Sequence, residues 1–250
     1  MTTLSLVKKL TRPGTVKATL QAVLVAATIG ISATVSFAAS ANYEWKYFAT
    51  NGTTIYPYYS NDNNWGYSNG SGSGFMEMYK GQEWGWYSPK HNLPQVIYAL
   101  PATNVNFGSS FGVNSGGRID ECMDDFVQAT NPPNTGIQGW EIMVWSYYKG
   151  TQPIASSYNA QGVANPWKTN VNIGGVNYNV YNTSTSSHQG TTTFIRTSQT
   201  QSYSLNFTNY VDWCCNNGVG INYDDFLESI GCGWEFANGW ANCYSLSISD

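Results

Sequence analysis

Two acidic residues stand where acids are costly. In GWEIMVW, Glu141 lies among Trp140, Ile142, Met143, Val144 and Trp145; in GCGWEFANG, Glu235 lies between Trp234 and Phe236. An ionised carboxylate in apolar surroundings needs a partner, a chemical role, or both. Two carboxylates on one face could divide the work on a single bond. One protonates a leaving oxygen while the other attacks the carbon or activates water, which is what glycosidic-bond hydrolysis requires.

Both segments read as strands, in which alternate side chains point to opposite faces. Along Trp140 to Tyr148, Glu141, Met143, Trp145 and Tyr147 share one face, and Trp140, Ile142, Val144, Ser146 and Tyr148 share the other. The Ile/Val side is the natural core face. The Glu141 side mixes a carboxylate with soft and aromatic groups, and fits a cleft in which Trp145 meets a sugar ring. Along Gly231 to Ala237, the residues Cys232, Trp234 and Phe236 point one way, and Gly233, Glu235 and Ala237 the other. The small neighbours of Glu235 leave room for a ligand. A solvated acid on an open face is the plainer alternative; Trp145 argues against it at Glu141, while at Glu235 it stays open.

The rest of the chain supplies the elements that must position these acids. Short segments rich in Tyr, Trp, Val, Ile and Thr alternate with the turn clusters NDNNWG, NGSGSG, NSGG, NPPNTG and NIGG. That rhythm predicts an all-β, antiparallel sandwich of jelly-roll type. One helix is expected within SLNFTNYVDWCCNN, with Asn216, Asn217 and Gly218 as its stop. Gly70 to Gly74 lacks the Lys and following helix of a phosphate loop and is read as a flexible loop. Neither a repeat nor a linker appears, so 42–250 is expected to form a single domain.

Residues 1–41 are set apart. Lys8, Lys9, Arg12 and Lys17 precede an apolar run that ends in small residues, with Ser36 and Ala38, or Ala39 and Ala41, at the minus-three and minus-one places of a cleavage site near 38–41. This is the pattern of a secretory signal peptide, and it implies an exported, extracellular protein off the membrane after cleavage; an N-terminal anchor is the alternative. Beyond it, seven bases face fifteen acids, a net charge of −8 that disfavours nucleic acid. A neutral, hydroxyl-rich ligand suits the abundant Trp, Tyr, Asn, Ser and Thr better. Cys122, Cys214, Cys215, Cys232 and Cys243 in an exported chain lead us to expect one or two disulfides. No C-x-x-C pair exists, and His91 and His188 stand alone, so no metal site is expected.

Several of these segments resemble family 12 glycoside hydrolases, the endo-β-1,4-glucanases of cellulase family H. EIMVW at Glu141 to Trp145 resembles that family's nucleophile strand, and GCGWEFANG its second glutamate signature. RIDECMDDF resembles the strand whose aspartate contacts the nucleophile, and NNWG at Asn63 to Gly66 a sugar-binding element. The likeness covers most of 42–250. It implies a jelly roll with a concave substrate cleft and retaining hydrolysis of internal β-1,4-glucosidic bonds. Carried over, Glu141 is the nucleophile, Glu235 the general acid/base and Asp124 the carboxylate beside Glu141. Asn64 and Trp65 bind a glycone-side sugar, Met143 lines the reaction subsite, and Pro153 belongs to a loop, GTQPIASS, that arches over the cleft.

Two positions depart from the family pattern. Ala237 stands where many members have an aromatic, and Asp125 stands where a hydrophobic residue often follows the supporting aspartate, which makes Asp125 a reserve for that role. The implied mechanism is double displacement, with carboxyls about 5–5.5 Å apart, a β-glucan partner, no cofactor and a monomeric enzyme. Competing readings are a jelly-roll lectin that holds glycans without cutting them, a β-1,4-xylanase, and a secreted protein recognised by a host.

Overall fold

Alternating apolar and polar residues drive most of the chain into strands, and three of these are too long for one layer. The computed structural model of the protein describes residues 42–49, 54–83, 86–87, 92–130, 139–183 and 189–249. The expected signal peptide, His91 and His188 lie outside the described residues. The strands are β1 (Glu44–Ala49), β2 (Thr54–Asn61), β3 (Asn64–Glu83), β4 (Trp86–Tyr87), β5 (Gln95–Val96), β6 (Asn104–Gln128), β7 (Trp140–Lys149), β8 (Lys168–Ile173), β9 (Val176–Asn182), β10 (Gly190–Arg196), β11 (Ser202–Asn206), β12 (Phe226–Leu227) and β13 (Ser229–Ser249). Helix α1 (Thr208–Asn217) is the only α-helix among the described residues.

The strands pair in the order β1-β3-β13-β6-β7-β10-β9-β8, with β2 added to β3 and β11 to β6. Pairing is antiparallel throughout except between β7 and β10, which run parallel. This corrects the all-antiparallel expectation. A long excursion through a loop and the β8–β9 hairpin returns the chain in the direction it left, as a parallel neighbour requires.

The two layers of the sandwich are one folded sheet. β3, β6 and β13 span 20, 25 and 21 residues, and each passes from one layer to the other through a bend. The bends hold Gly72, Gly116 and Asn238 at φ of 90°, 73° and 56°, values that most side chains avoid. Asn238 Oδ1 accepts the Gly72 amide at 2.9 Å and ties two bends together. The NGSGSG and NSGG clusters, expected as loops, are therefore corners inside paired strands. NIGG does form a hairpin turn between β8 and β9, with Gly174 and Gly175 both at positive φ.

Core side chains of the two layers meet across these bends. Trp65 lies 4.9 Å from Trp234, and Tyr67 stacks on Phe236 at 3.9 Å, centroid to centroid. Where the outer layer ends, α1 takes over as the cover. Its Tyr210, Val211 and Cys214 are buried, and the Tyr210 hydroxyl meets that of Tyr178 at 2.6 Å. Asn206 Oδ1 accepts the Thr208 amide at the helix start, and Gly218 closes it in the left-handed conformation. The helix lies where the sequence places it. All five cysteines are free thiols, which overturns the expected disulfides. No helix among the described residues is long and apolar enough to cross a membrane.

Candidate active site

The acids gather on the face of the inner layer that points away from the core. β7 pairs with β6, so that Met143 faces Asp124, Trp145 faces Cys122 and Glu141 faces Phe126. β6 pairs in turn with β13, setting Asp120 opposite Glu235 and Cys122 opposite Gly233. Directly opposed residues share a face. Trp140, Ile142, Val144, Trp234 and Phe236 fill the core behind them. Glu141, Asp124 and Glu235 all keep partial contact with solvent.

One side chain breaks the expected alternation. Tyr147 opposes Glu121 while Trp145 opposes Cys122, so Ser146 is an extra residue, a bulge. Beyond it the faces exchange. Tyr147 packs toward the core, 4.9 Å from Phe111, and Tyr148 joins Trp145 on the acidic face. The bulge also aims the Ser146 hydroxyl at Glu121 Oε1, 2.6 Å away, while Ser109 donates to the other oxygen. Glu121 is thus a core carboxyl; burial pushes its pKa up to about 7 against the pull of these hydroxyls.

Each site glutamate has its own surroundings. Thr191 of β10 donates its hydroxyl to Glu141 Oε2 at 2.7 Å. Burial raises the Glu141 pKa; hydrogen bonds from Thr191 and Asp124 oppose that rise. Asp124 is pushed well above the carboxylate range by burial and then by the charge of Glu141. Burial and mutual repulsion thus work against both carboxyls of the pair being ionised together. Glu235 is raised to about 7, first by burial and then by the charge of Glu141, while Arg118 pulls it down. Asp120 is raised by burial and by Glu235. Among the described residues, Asp120 Oδ1 and Asp124 Oδ1 find no hydrogen-bond partner.

The structure separates the other expected site residues. Trp65 is fully buried between Phe107 and Trp234 and cannot stack on a sugar; Asn64 is exposed at the β2–β3 turn, in the other layer. The strand alternation that sends Tyr67 inward sends Trp65 inward too. Met143 and Trp145 occupy the acidic face but are only 5 % and 3 % exposed, packed with Cys122 and Ile195, so they form its floor and not an open platform. Pro153 is buried in a loop whose Ser156 amide donates to the Asn182 carbonyl on β9. Asp125 points to the core side and accepts the Gly231 amide at 3.0 Å, which removes it as a substitute for Asp124. The room expected beside Glu235 is partly filled, because a β-carbon on Gly233 would collide with the Met76 carbonyl and with Glu77 Cβ on β3.

Sequence reasoning overlooked Asp120, Glu77, Glu83, Arg118 and Thr191. Glu77 and Glu83 lie on β3 and their charges reach Asp124. A signal for Glu77 was present: in FMEMY it sits among apolar residues just as Glu141 does. Among the described residues no cluster suited to a metal ion occurs.

No family model and no curated protein matches the sequence, whereas solved structures match its fold. A native family 12 xyloglucanase from Bacillus licheniformis is 20% identical, with 85% of this chain and 95% of that one covered and a TM-score of 0.69. The endo-1,4-β-glucanase CelB2 is 19% identical, covering 85% of this chain and 96% of that one, with a TM-score of 0.66. Endoglucanase cel12A from Rhodothermus marinus is 18% identical over 82% of this chain and 95% of that one, with a TM-score of 0.64. At these identities the likeness establishes a shared β-jelly-roll fold.

Proposed function

We propose that the protein is a retaining β-glucan hydrolase of the family 12 type, exported and acting on internal β-1,4-glucosidic bonds. One observation carries this reading: Glu141 and Glu235 share a face, where burial first and the charge of Glu141 second raise the pKa of Glu235 to about 7. That arrangement supports a division of roles. Glu235 holds a proton at mildly acidic pH and can give it up to a departing oxygen. Glu141, held by hydrogen bonds with Thr191 and Asp124, is the group to attack.

In the first step the Glu141 carboxylate bonds to the anomeric carbon, the glycosidic C–O bond breaks, and Glu235 passes its proton to the leaving oxygen. The ester removes the charge of Glu141, so the pKa of Glu235 falls and its carboxylate becomes a base. Water then gives a proton to Glu235 as its oxygen displaces Glu141, and the anomeric configuration is retained. Cellulose, xyloglucan, mixed-linkage glucan and glucomannan are the substrates within this class.

The test is a panel of soluble β-glucans and xylan, with products sized over time and the first-formed anomer observed by proton NMR. The expected result is early mid-chain cleavage of a β-glucan with release of the β-anomer. Release of the α-anomer, or cleavage of xylan alone, overturns the proposal.

A further inference from the structure

The opposite side of the sandwich carries a second surface whose chemistry suits the same class of polymer. There, Trp240 and Tyr244 of β13 are 40 % and 51 % exposed, and Tyr56 of β2 is 60 % exposed. Their placement is built. Trp240 stands opposite Gly112, where any β-carbon would collide with the indole, and a β-carbon at Gly108 would strike the Tyr244 ring. Each ring therefore lies across a glycine of β6, with its other side open to solvent. Tyr244 is the extra residue of a bulge between Cys243 and Ser245, which turns its ring outward next to Ser245.

Hydrogen bonds fix the rings before any ligand arrives. The Tyr244 hydroxyl meets Ser202 Oγ at 2.6 Å, and the Tyr58 hydroxyl donates to Asn242 Oδ1 at 2.5 Å. Such pre-orientation lowers the ordering cost of binding. Beside Tyr244 a depression of about 390 Å³ is lined by Asn106, Gly108, Ser202, Ser204 and Ser245. At the outward positions of β2, β11, the first halves of β3 and β6 and the second half of β13, the described side chains are Tyr, Trp, Ser, Thr and Asn, with glycine between them and none bearing charge. A protein of net charge −4 leaves this sheet face neutral.

We infer that this outer face is a second polysaccharide-binding site, on which a neutral glucan chain lies along β13 across Tyr244 and Trp240. The two side chains stand four residues apart, about 13 Å of strand. Aromatic faces take the apolar sides of sugar rings, and Ser202, Asn106 and Asn242 offer hydroxyl and amide partners. The uncharged surroundings exclude nucleic acid and anionic polymers as preferred occupants. The inference rests on the proposed substrate class. Its consequence is that the polymer can be held on one side of the sandwich while bonds are cleaved on the other.

The experiment separates the two sites. Glu141→Gln protein, with and without Trp240→Ala and Tyr244→Ala together, is run in native gels containing soluble xyloglucan, mixed-linkage β-glucan or hydroxyethylcellulose. Thermal unfolding checks that the variants fold. Retardation by at least one polymer is expected, and the triple variant should show about tenfold weaker affinity. Equal retardation of both proteins overturns the inference even if the enzyme cleaves glucan. Retardation that depends on the two rings in a protein unable to cleave any glucan upholds it and refutes the hydrolase reading instead. Wild-type self-association in light scattering that disappears in Trp240→Ala would make this face a contact between copies of the chain, and would also overturn it.

Discussion

Glu235 and Asp120 stand directly opposite one another across the β13–β6 pairing, both on the acidic face. Two carboxyls so placed cannot both ionise easily, and burial adds to the difficulty. Arg118, two residues before Asp120, is the charge that pulls both toward ionisation. Arg118→Gln should therefore raise the pKa of Glu235 above its value of about 7 and move the alkaline limb of the kcat/KM profile to higher pH. An unchanged or lower limb would show that Glu235 is not the titrating acid.

Thr191→Val keeps shape but removes the donor to Glu141 Oε2. Losing a hydrogen bond to a charged group should lower kcat/KM about tenfold. Because that bond holds the Glu141 pKa down, the acid limb should move to higher pH. Glu141→Gln should lose activity by at least roughly 10²-fold. Steady-state rates from pH 4 to 9 test both; wild-type turnover by Glu141→Gln would end the nucleophile assignment.

Stability should fall as pH rises. The buried carboxyls of Glu121, Glu228 and Glu235 have folded pKa values of about 7, 8 and 7, above the ordinary 4.5. The folded state thus holds more protons than the unfolded one between those values, and loses that advantage as pH climbs through 7 to 8. Thermal midpoints should be higher at pH 5 than at pH 8. Glu121→Gln, neutral at every pH and still able to bond Ser146, should flatten the decline; a slope as steep as wild type would contradict the assignment.

Trp65→Ala should cost about 3–5 kcal/mol of stability, since the side chain is fully buried against Trp234. Its KM for soluble glucan should stay near wild type below the new melting transition. A raised KM with undiminished stability would restore the sugar-stacking role that the fold removes.

The sequence carried the local geometry well where alternation ran unbroken. Ile142 and Val144 face the core, and so do Trp234 and Phe236, because period-two patterning fixes the face of a strand. α1 was legible from its spacing and its glycine stop. The first failure came at Ser146, where one inserted residue exchanges Tyr147 and Tyr148 between faces without any mark in composition. The second came at NGSGSG, whose glycines read as a loop but let β3 bend while remaining paired.

Residue types alone determined that Glu141 and Glu235 are acids in apolar strands, and that Met143 and Trp145 share the face of Glu141 and Gly233 that of Glu235. Only the folded sheet decided which other acids join them. The β13–β6 register brings Asp120 to Glu235, and the parallel β7–β10 register brings Thr191 to Glu141. Register is a relation between strands distant in sequence, set by bulges, bends and packing together, so no single segment encodes it. The same cause placed Trp65 in the core and Trp240 on the outer face, although both are tryptophans flanked by small residues and next to a glycine.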